Sequence, residues 1–361
     1  MSKDETQQLK GIAIMMMLWL HLFGTSREIL DHCQTFIYLW NGDPLIYAMR
    51  KLGRMCIVFY TFLGGYGLYK VYVNSIISAA GRQVALTHGP RRALRLLKHY
   101  WIVLALFLIV AIPLFPKTYP GGWMALILNI TSIDCTYNDA LWFLFPYMML
   151  TLASTPIMRC IHNTSGWRLA ALAAVIFGVR LMTYTTGLGH HGWVVNLVAT
   201  PLLNTLSLLF MFVVGAIFAK YDWMTSMSTF IRRRLHTATS HKSAGSIVAF
   251  ILLVALAFLR VCVGASTLFD PPFLVIMIAL YLSIDRPQWV NRSLSYLGHH
   301  STNLWFTHRY VMVLAGVLVA IPRFPILIFA SLIIVCLVIS YIIDGIQSAL
   351  QAPLLHHPHK R

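Results

Sequence analysis

The stretch "LKGIAIMMMLWLHLFG", residues 9–24, has one cation at its mouth, Lys10, then ten residues without a charge, then a titratable side chain, His21, near its far end. So apolar a run does not suit the surface of a soluble protein, and the rest of the chain agrees. Of 361 residues, 58% are hydrophobic and only 11% charged, with a mean hydropathy of +0.71, a balance for which lipid rather than water is the solvent. Similar runs, bounded by charges and Gly/Pro breaks, recur at 9–23, 55–73, 93–115, 140–158, 168–186, 200–219, 246–263, 271–284, 294–320 and 326–349. The eighth is short for a crossing, and "GGWMALILNITSI" is apolar but only half-length. The runs are continuously apolar rather than alternating, which argues against a β-barrel. The pattern predicts an all-α integral membrane protein, a bundle of about ten transmembrane helices. The polar stretches 24–54 and 220–245 are too small to build a core of their own, so residues 1–361 read as a single transmembrane domain with no appended soluble domain.

The basic residues set an orientation. With the N-terminus in the cytoplasm, 19 of the 28 Lys and Arg fall on the inner side. Arg27, Arg50, Lys51, Arg54, Lys117 and Arg323 fall outside, and Arg180, Arg260 and Arg309 lie within or at the edge of spans. An even number of helices then places both termini in the cytoplasm. The net charge of +17 sits in short juxtamembrane loops, where topology and anionic membrane lipid account for it without nucleic acid. Asp4 and Glu5 dilute the basic start and no small-residue cleavage site follows, so the first run reads as a retained helix rather than a signal peptide. The six Cys form no C-x-x-C pair, which argues against a metal site. Cys33 and Cys135 both fall in outer loops, where they either pair as one disulfide or remain two thiols. The tail "HHPHKR" reads as a frayed, solvated end.

Four constellations stand out against this apolar background. Lys10 and His21 are eleven residues apart, close to three helical turns, so they share a face with His21 about 16 Å deeper. An ionisable side chain inside a bilayer is costly, and marks either a working site or a hydrogen bond between helices. "GPRRALRLLKHYW", residues 89–101, carries Arg91, Arg92, Arg95 and Lys98 at the inner start of a helix. Guanidinium forks and the helix dipole suit such a place to phosphates, although inner-side anchoring alone also explains the charges. "LGHHSTNLWFTHRYVM", residues 297–312, interrupts the ninth run with Ser301, Asn303, Thr307, His308 and Arg309, and Ser301 and His308 lie two turns apart on one face. No nucleophile elbow accompanies Ser301, which argues against a serine hydrolase. Finally, "DALWFLFPYMML" opens the fourth run with Asp139 and Trp142 at the outer interface; Asp134 and Asp139 are among the few outer acids able to orient a His.

In this order, these stretches resemble the acyltransferase-3 family of membrane acyltransferases, and in particular its bacterial branch of polysaccharide or fucose O-acetyltransferases. "LKGIAIMMMLWLHLF" is similar to the family's first helix, "MCIVFYTFLGGYGLYKVY" to its second, "RRALRLLKHYW" to its R-x-x-R segment, "ALWFLFPYMML" to its Trp-Phe-Leu segment, and "LGHHSTNLWFTHRYVM" to its late segment with Ser and His. The resemblance runs from residue 9 to about 315. It implies a multi-pass protein of the bacterial cytoplasmic membrane that takes an acyl group, acetyl first among them, from cytosolic acyl-CoA to a hydroxyl of a surface glycan or lipid-linked sugar. It further implies that Arg92 and Arg95, assisted by Arg91, hold the phosphates of acetyl-CoA, the acyl donor. His21 would then be the general base or transient acyl carrier, with Lys10, Trp142, Ser301 and His308 completing the site; no metal is implied. Two departures bear on the acceptor. The Glu that many members carry just after the Trp segment is missing from "WFLFPYMML", and so is the fused hydrolase-like domain of some members. The rival reading is a secondary transporter or glycolipid flippase with His21, Arg180, Arg260 and His308 lining the path.

Overall fold

The computed structural model describes residues 1–24, 29, 33–39, 42–77, 81–185, 193–239, 242–263 and 267–355. Arg27 and the His-rich tail lie outside them. The chain opens on α1 (Lys3–Gly24), started by a reciprocal cap: the Ser2 backbone N–H donates to Glu5 Oε2 at 2.7 Å and the Glu5 N–H to Ser2 Oγ at 3.0 Å. Two single turns, Leu45–Ala48 and Arg50–Gly53, lead into α2 (Cys56–Ile77), followed by α3 (Gly81–Leu114). The half-length run becomes α4 (Trp123–Thr131), and a 3₁₀ turn at Asp139–Leu141 precedes α5 (Leu144–Leu152) and α6 (Ser154–Asn163). Then come α7 (Gly166–Thr185), α8 (Trp193–Lys220), α9 (Trp223–Thr239), α10 (Lys242–Cys262), α11 (Asp270–Ser283), α12 (Gln288–Ala320) and α13 (Pro325–Leu355).

Every one of the ten apolar runs lies on helix. The fourth is not straight: it divides at Ala153 into α5 and α6, which meet at a bend of 55°. Among the described residues, five helices are long and apolar enough to cross a membrane, or six if the bent pair counts as one. α1 and α12 are not among them: α1 carries Lys10 and His21, and α12 carries Ser301, Asn303, His308 and Arg309 and departs from helical geometry at Ala315. Broad apolar faces point outward on α3, α10 and α13, where Ile109, Phe250 and Val338 are more than half exposed. In water such faces would be unstable, and in lipid they cost nothing. Cys33 and Cys135 are two free thiols.

The two most extensive helix pairs are α1 with α12 and α2 with α8. Each is a close parallel seam built on two facing glycines. A Cβ on Gly11 would collide with the backbone carbonyl of Leu294, and one on Gly298 with that of Gln7. Likewise Gly65 abuts the carbonyl of Phe212, and Gly215 that of Phe62. In the first seam Gly11 lies beside Gly298 and His21 beside His308, ten residues further along both helices, which fixes the parallel register. In the second, Lys70 meets Asp222 at 3.9 Å past the Gly65–Gly215 crossing, so these helices are parallel too. Without side chains at the crossing the backbones come into contact, and small-residue crossings of this kind are how helices associate where lipid removes the hydrophobic drive.

Candidate active site

The α1–α12 seam carries most of the polar residues that the sequence isolates. At the end nearer the chain start, Lys10 lies within electrostatic reach of Arg92 from α3 and of Tyr147 from α5. Arg92 Nη2 donates to the Tyr147 hydroxyl at 3.3 Å, and the Tyr60 hydroxyl of α2 donates to the Lys10 carbonyl at 3.4 Å. Tyr60 also reaches Ser301, whose Oγ donates to the Gly298 carbonyl at 2.8 Å. Five helices thus bring two cations, two phenols and a buried serine to one place. Arg92 turns inward, half-buried, while Arg91 and Arg95 are exposed on the outside of α3. The structure gathers Arg92 of the R-x-x-R pair with Lys10 and leaves Arg95, and Arg91 beside the pair, at the surface.

Three turns along, the rings of His21 and His308 stand 5.0 Å apart, centroid to centroid. His308 is fully buried. Its Nδ1 lies 3.1 Å from the Leu304 carbonyl and 2.9 Å from that of Trp305, one helical turn earlier, so Nδ1 carries a proton and donates it to its own helix. Nε2 is left as the acceptor; it is buried and has no hydrogen-bond partner among the described residues. An imidazole held in this tautomer offers a lone pair to an incoming hydroxyl. The next residue, Arg309, points to the far end of the seam, with Nε 2.8 Å from Asp139 Oδ1 and Nη2 3.4 Å from Oδ2. Asp139 therefore orients an arginine rather than a histidine. Trp142 is 41% exposed and stacks edge-on to Phe143; it is Phe143 that enters the core, 5.5 Å from the Trp305 ring and 5.4 Å from Tyr147.

Arg180 and Arg260 belong to a different cluster. Arg260 Nε lies 2.6 Å from Asp270 Oδ1, with neither side chain more than 1% exposed, and Arg180 lies within electrostatic reach of the same carboxylate. A guanidinium so deep in the bundle is held by its carboxylate, which gives these two arginines a structural role that needs no translocation path. Among the described residues, the two best-formed concavities open elsewhere, one lined by Tyr72, Ser75, His88 and Ser154, the other on α9.

Sequence reasoning passed over Tyr60 and Tyr147, which look like ordinary aromatic residues in apolar runs, and Asp344 of α13. For Asp344 a signal existed: it is the only acid in the last apolar run. Its carboxylate accepts from the Asn303 amide at 2.9 Å.

Comparison with known proteins follows the same line. The model of the acyltransferase-3 family, described as an acyltransferase domain, matches residues 6–345. No curated protein and no solved structure matches the chain. The family match takes in the α1–α12 seam and Asp344, and with a match over nearly the full length this helical, multi-pass membrane chain belongs to the acyltransferase-3 family of membrane acyltransferases.

Proposed function

We propose that this acyltransferase moves an acyl group, acetyl in the first instance, from cytosolic acetyl-CoA to a hydroxyl of a cell-surface glycan or lipid-linked sugar, at the inner membrane of a bacterium. The observation that carries the reading is the order of groups along one seam: cations and phenols at the Lys10 end, two facing imidazoles at the other. Lys10 and Arg92 suit the phosphates of coenzyme A, since charge-assisted bonds to phosphate are strong and arginine forks are shaped for them. Exposed Arg91 and Arg95 widen the same patch. About 16 Å of helical rise separates Lys10 from His21, within reach of a pantetheine arm.

His21 takes the proton of the sugar hydroxyl as it attacks the thioester carbonyl, the work of a general base. His308, in contact with it, accepts a hydrogen bond at Nε2 and so orients either the hydroxyl or the His21 ring. Ser301 and Tyr60 line the arm's path, and Trp142, exposed beside the Arg309–Asp139 pair, offers an aromatic face to the acceptor sugar. A transient acyl-imidazole on His21 is the covalent form of the same scheme. Arg180 and Arg260 turn to Asp270 rather than to the two imidazoles, which favours transfer over transport.

The test supplies labelled acetyl-CoA to membranes containing the protein and follows label into surface glycan for wild type, His21→Ala and Arg92→Ala/Arg95→Ala. Transfer by wild type and loss in both variants is expected. Undiminished transfer by the variants removes the assigned site, and glycolipid movement between leaflets without transfer replaces the reading with a flippase.

A further inference from the structure

Beside the seam lies a second set of polar groups that the scheme above leaves unused. Asn303 of α12 donates through its amide Nδ2 to Asp344 Oδ1 at 2.9 Å, to Ser340 Oγ at 2.7 Å and, at 3.4 Å, to the Ser340 carbonyl. A carboxylate and a backbone carbonyl only accept, so the –NH₂ end of the amide must face α13. The amide oxygen then faces the other way, onto Nε2 of His99 from α3. An amide oxygen only accepts, so Nε2 of His99 must carry the proton and Nδ1 keeps the lone pair. Three helices thus settle the tautomer of one half-buried imidazole through an acceptor, an amide and a donor in series.

The place of His99 gives this a use. It follows Arg92 by seven residues on α3, two helical turns, so the two share a face with His99 about 10 Å deeper. Its ring stands edge-on to Phe306, with centroids 5.4 Å apart, and Phe306 is two residues before His308. His99 therefore lies between the level of the donor cations and the level of the paired imidazoles. Other ionisable groups near it are Asp344 and, on α12, His300, whose Nδ1 is 2.8 Å from Ser340 Oγ and 3.7 Å from Asp344 Oδ2.

We propose that Asp344 and Asn303 are positioning residues that hold His99 as the Nε2–H tautomer, and that His99 handles the proton of the departing thiol on the donor side of the reaction. The inference rests on the acyl-CoA reading above. When the acceptor oxygen bonds to the acyl carbon, the carbon–sulfur bond breaks and its electron pair goes to sulfur. The imidazolium form of His99 gives its Nδ1 proton to that sulfur, producing free coenzyme A, and the neutral ring left behind is the tautomer that Asn303 holds. A proton from cytosolic water restores the imidazolium, and the proton of the acceptor hydroxyl leaves through His21. Two imidazoles, one per substrate, let a single seam serve a hydroxyl on one side and a thiol on the other.

The experiment pairs a spectrum with kinetics. Nitrogen-15 histidine spectra of the full protein in lipid, with His99 assigned by comparison with His99→Gln, or by coupling to the Asn303 carboxamide should that variant fail to fold, report the tautomer without any substrate. The Nε2–H form is expected in wild type and a shift toward Nδ1–H in Asp344→Asn, where the amide is free to turn over. In transfer assays with acetyl-CoA, Asp344→Asn and Asn303→Leu are expected to lower kcat about 10-fold or more with KM for acetyl-CoA within about 2-fold, and His99→Gln to lower kcat by about 100-fold. A wild-type Nδ1–H tautomer, or one that Asp344→Asn leaves unchanged, overturns the relay; wild-type kcat in His99→Gln overturns the proton role. If wild type transfers nothing from acetyl-CoA, the acyl-CoA reading and the proton role fall together, while the spectrum still decides the relay.

Discussion

The α1–α12 seam and the α2–α8 seam are built by one device and put to different uses. Both are parallel helix pairs whose backbones meet at two facing glycines, Gly11 with Gly298 and Gly65 with Gly215. Around the second crossing stand Phe62 and Phe212, both fully buried, with Phe62 edge-on to Phe218 at 5.7 Å. Around the first stand Lys10, Ser301, His21 and His308. Close contact between backbones is therefore a structural solution in its own right, whether the residues around it are apolar or ionisable. Ionisable groups inside a lipid-embedded bundle are expensive; the α1–α12 seam holds Lys10, His21 and His308, and the Arg260–Asp270 pair forms a separate buried cluster.

The largest effects are expected where the two seams are alike. Gly298→Leu and Gly215→Leu each push a side chain into a backbone carbonyl that cannot swing aside. Overpacking of a core costs about 1–3 kcal/mol when side chains can adjust, and more is expected here. Both variants should lose the folded protein in detergent, read as monodisperse yield and thermal melting. A mild result at Gly298 alone would show that the first seam is looser than its glycine contacts indicate.

The next effects separate the seams. Phe62→Ala is expected to cost about 3–5 kcal/mol of stability while the folded fraction keeps its kcat/KM. His21→Ala should do the reverse, lowering transfer by about 100-fold or more with little change in melting. Equal losses of stability from the two would erase the distinction between a structural and a chemical seam. Smaller again, Lys10→Met and Arg92→Ala should each raise KM for acetyl-CoA about 10-fold, the scale of one charged hydrogen bond. Because the two cations lie within electrostatic reach of each other, the double variant should fall short of the product of the singles. Smallest is Asp139→Asn. Its carboxylate is 59% exposed, and an exposed ion pair contributes about 1 kcal/mol or less, so melting should barely move.

Much of this was legible in the chain. The run at 9–24 reads as a helix with Lys10 and His21 on one face, and the structure packs that helix against α12, with His21 beside His308. "LGHHSTNLWFTHRYVM" identified the partner helix, because polar residues in an apolar run have to turn inward. What the sequence could not express was pairing between distant segments. The approach of His21 to His308 depends on glycines at 11 and 298, and a glycine in an apolar run is as common at a lipid face as at a crossing. The R-x-x-R spacing placed Arg92 and Arg95 on adjacent turns, yet only Arg92 is drawn inward, since Tyr147 on α5 is there to receive it. The bend at Ala153 divides an apolar run that reads as one helix. Asp344 was visible as a lone acid, but its link to His99 through Asn303 runs across three helices that no local pattern connects.

The proposed transfer has two sides, with the donor entering at the Lys10–Arg92 end and the acceptor meeting His21 at the other. Purified protein reconstituted in vesicles, with orientation fixed by protease protection of the N-terminus, can be given labelled acetyl-CoA on one face and a glycan acceptor on the other. Labelled acceptor is expected only when acetyl-CoA is on the face carrying the N-terminus and Arg92, and not with His21→Ala. Equal transfer with acetyl-CoA on either face, or undiminished transfer by His21→Ala, would contradict it.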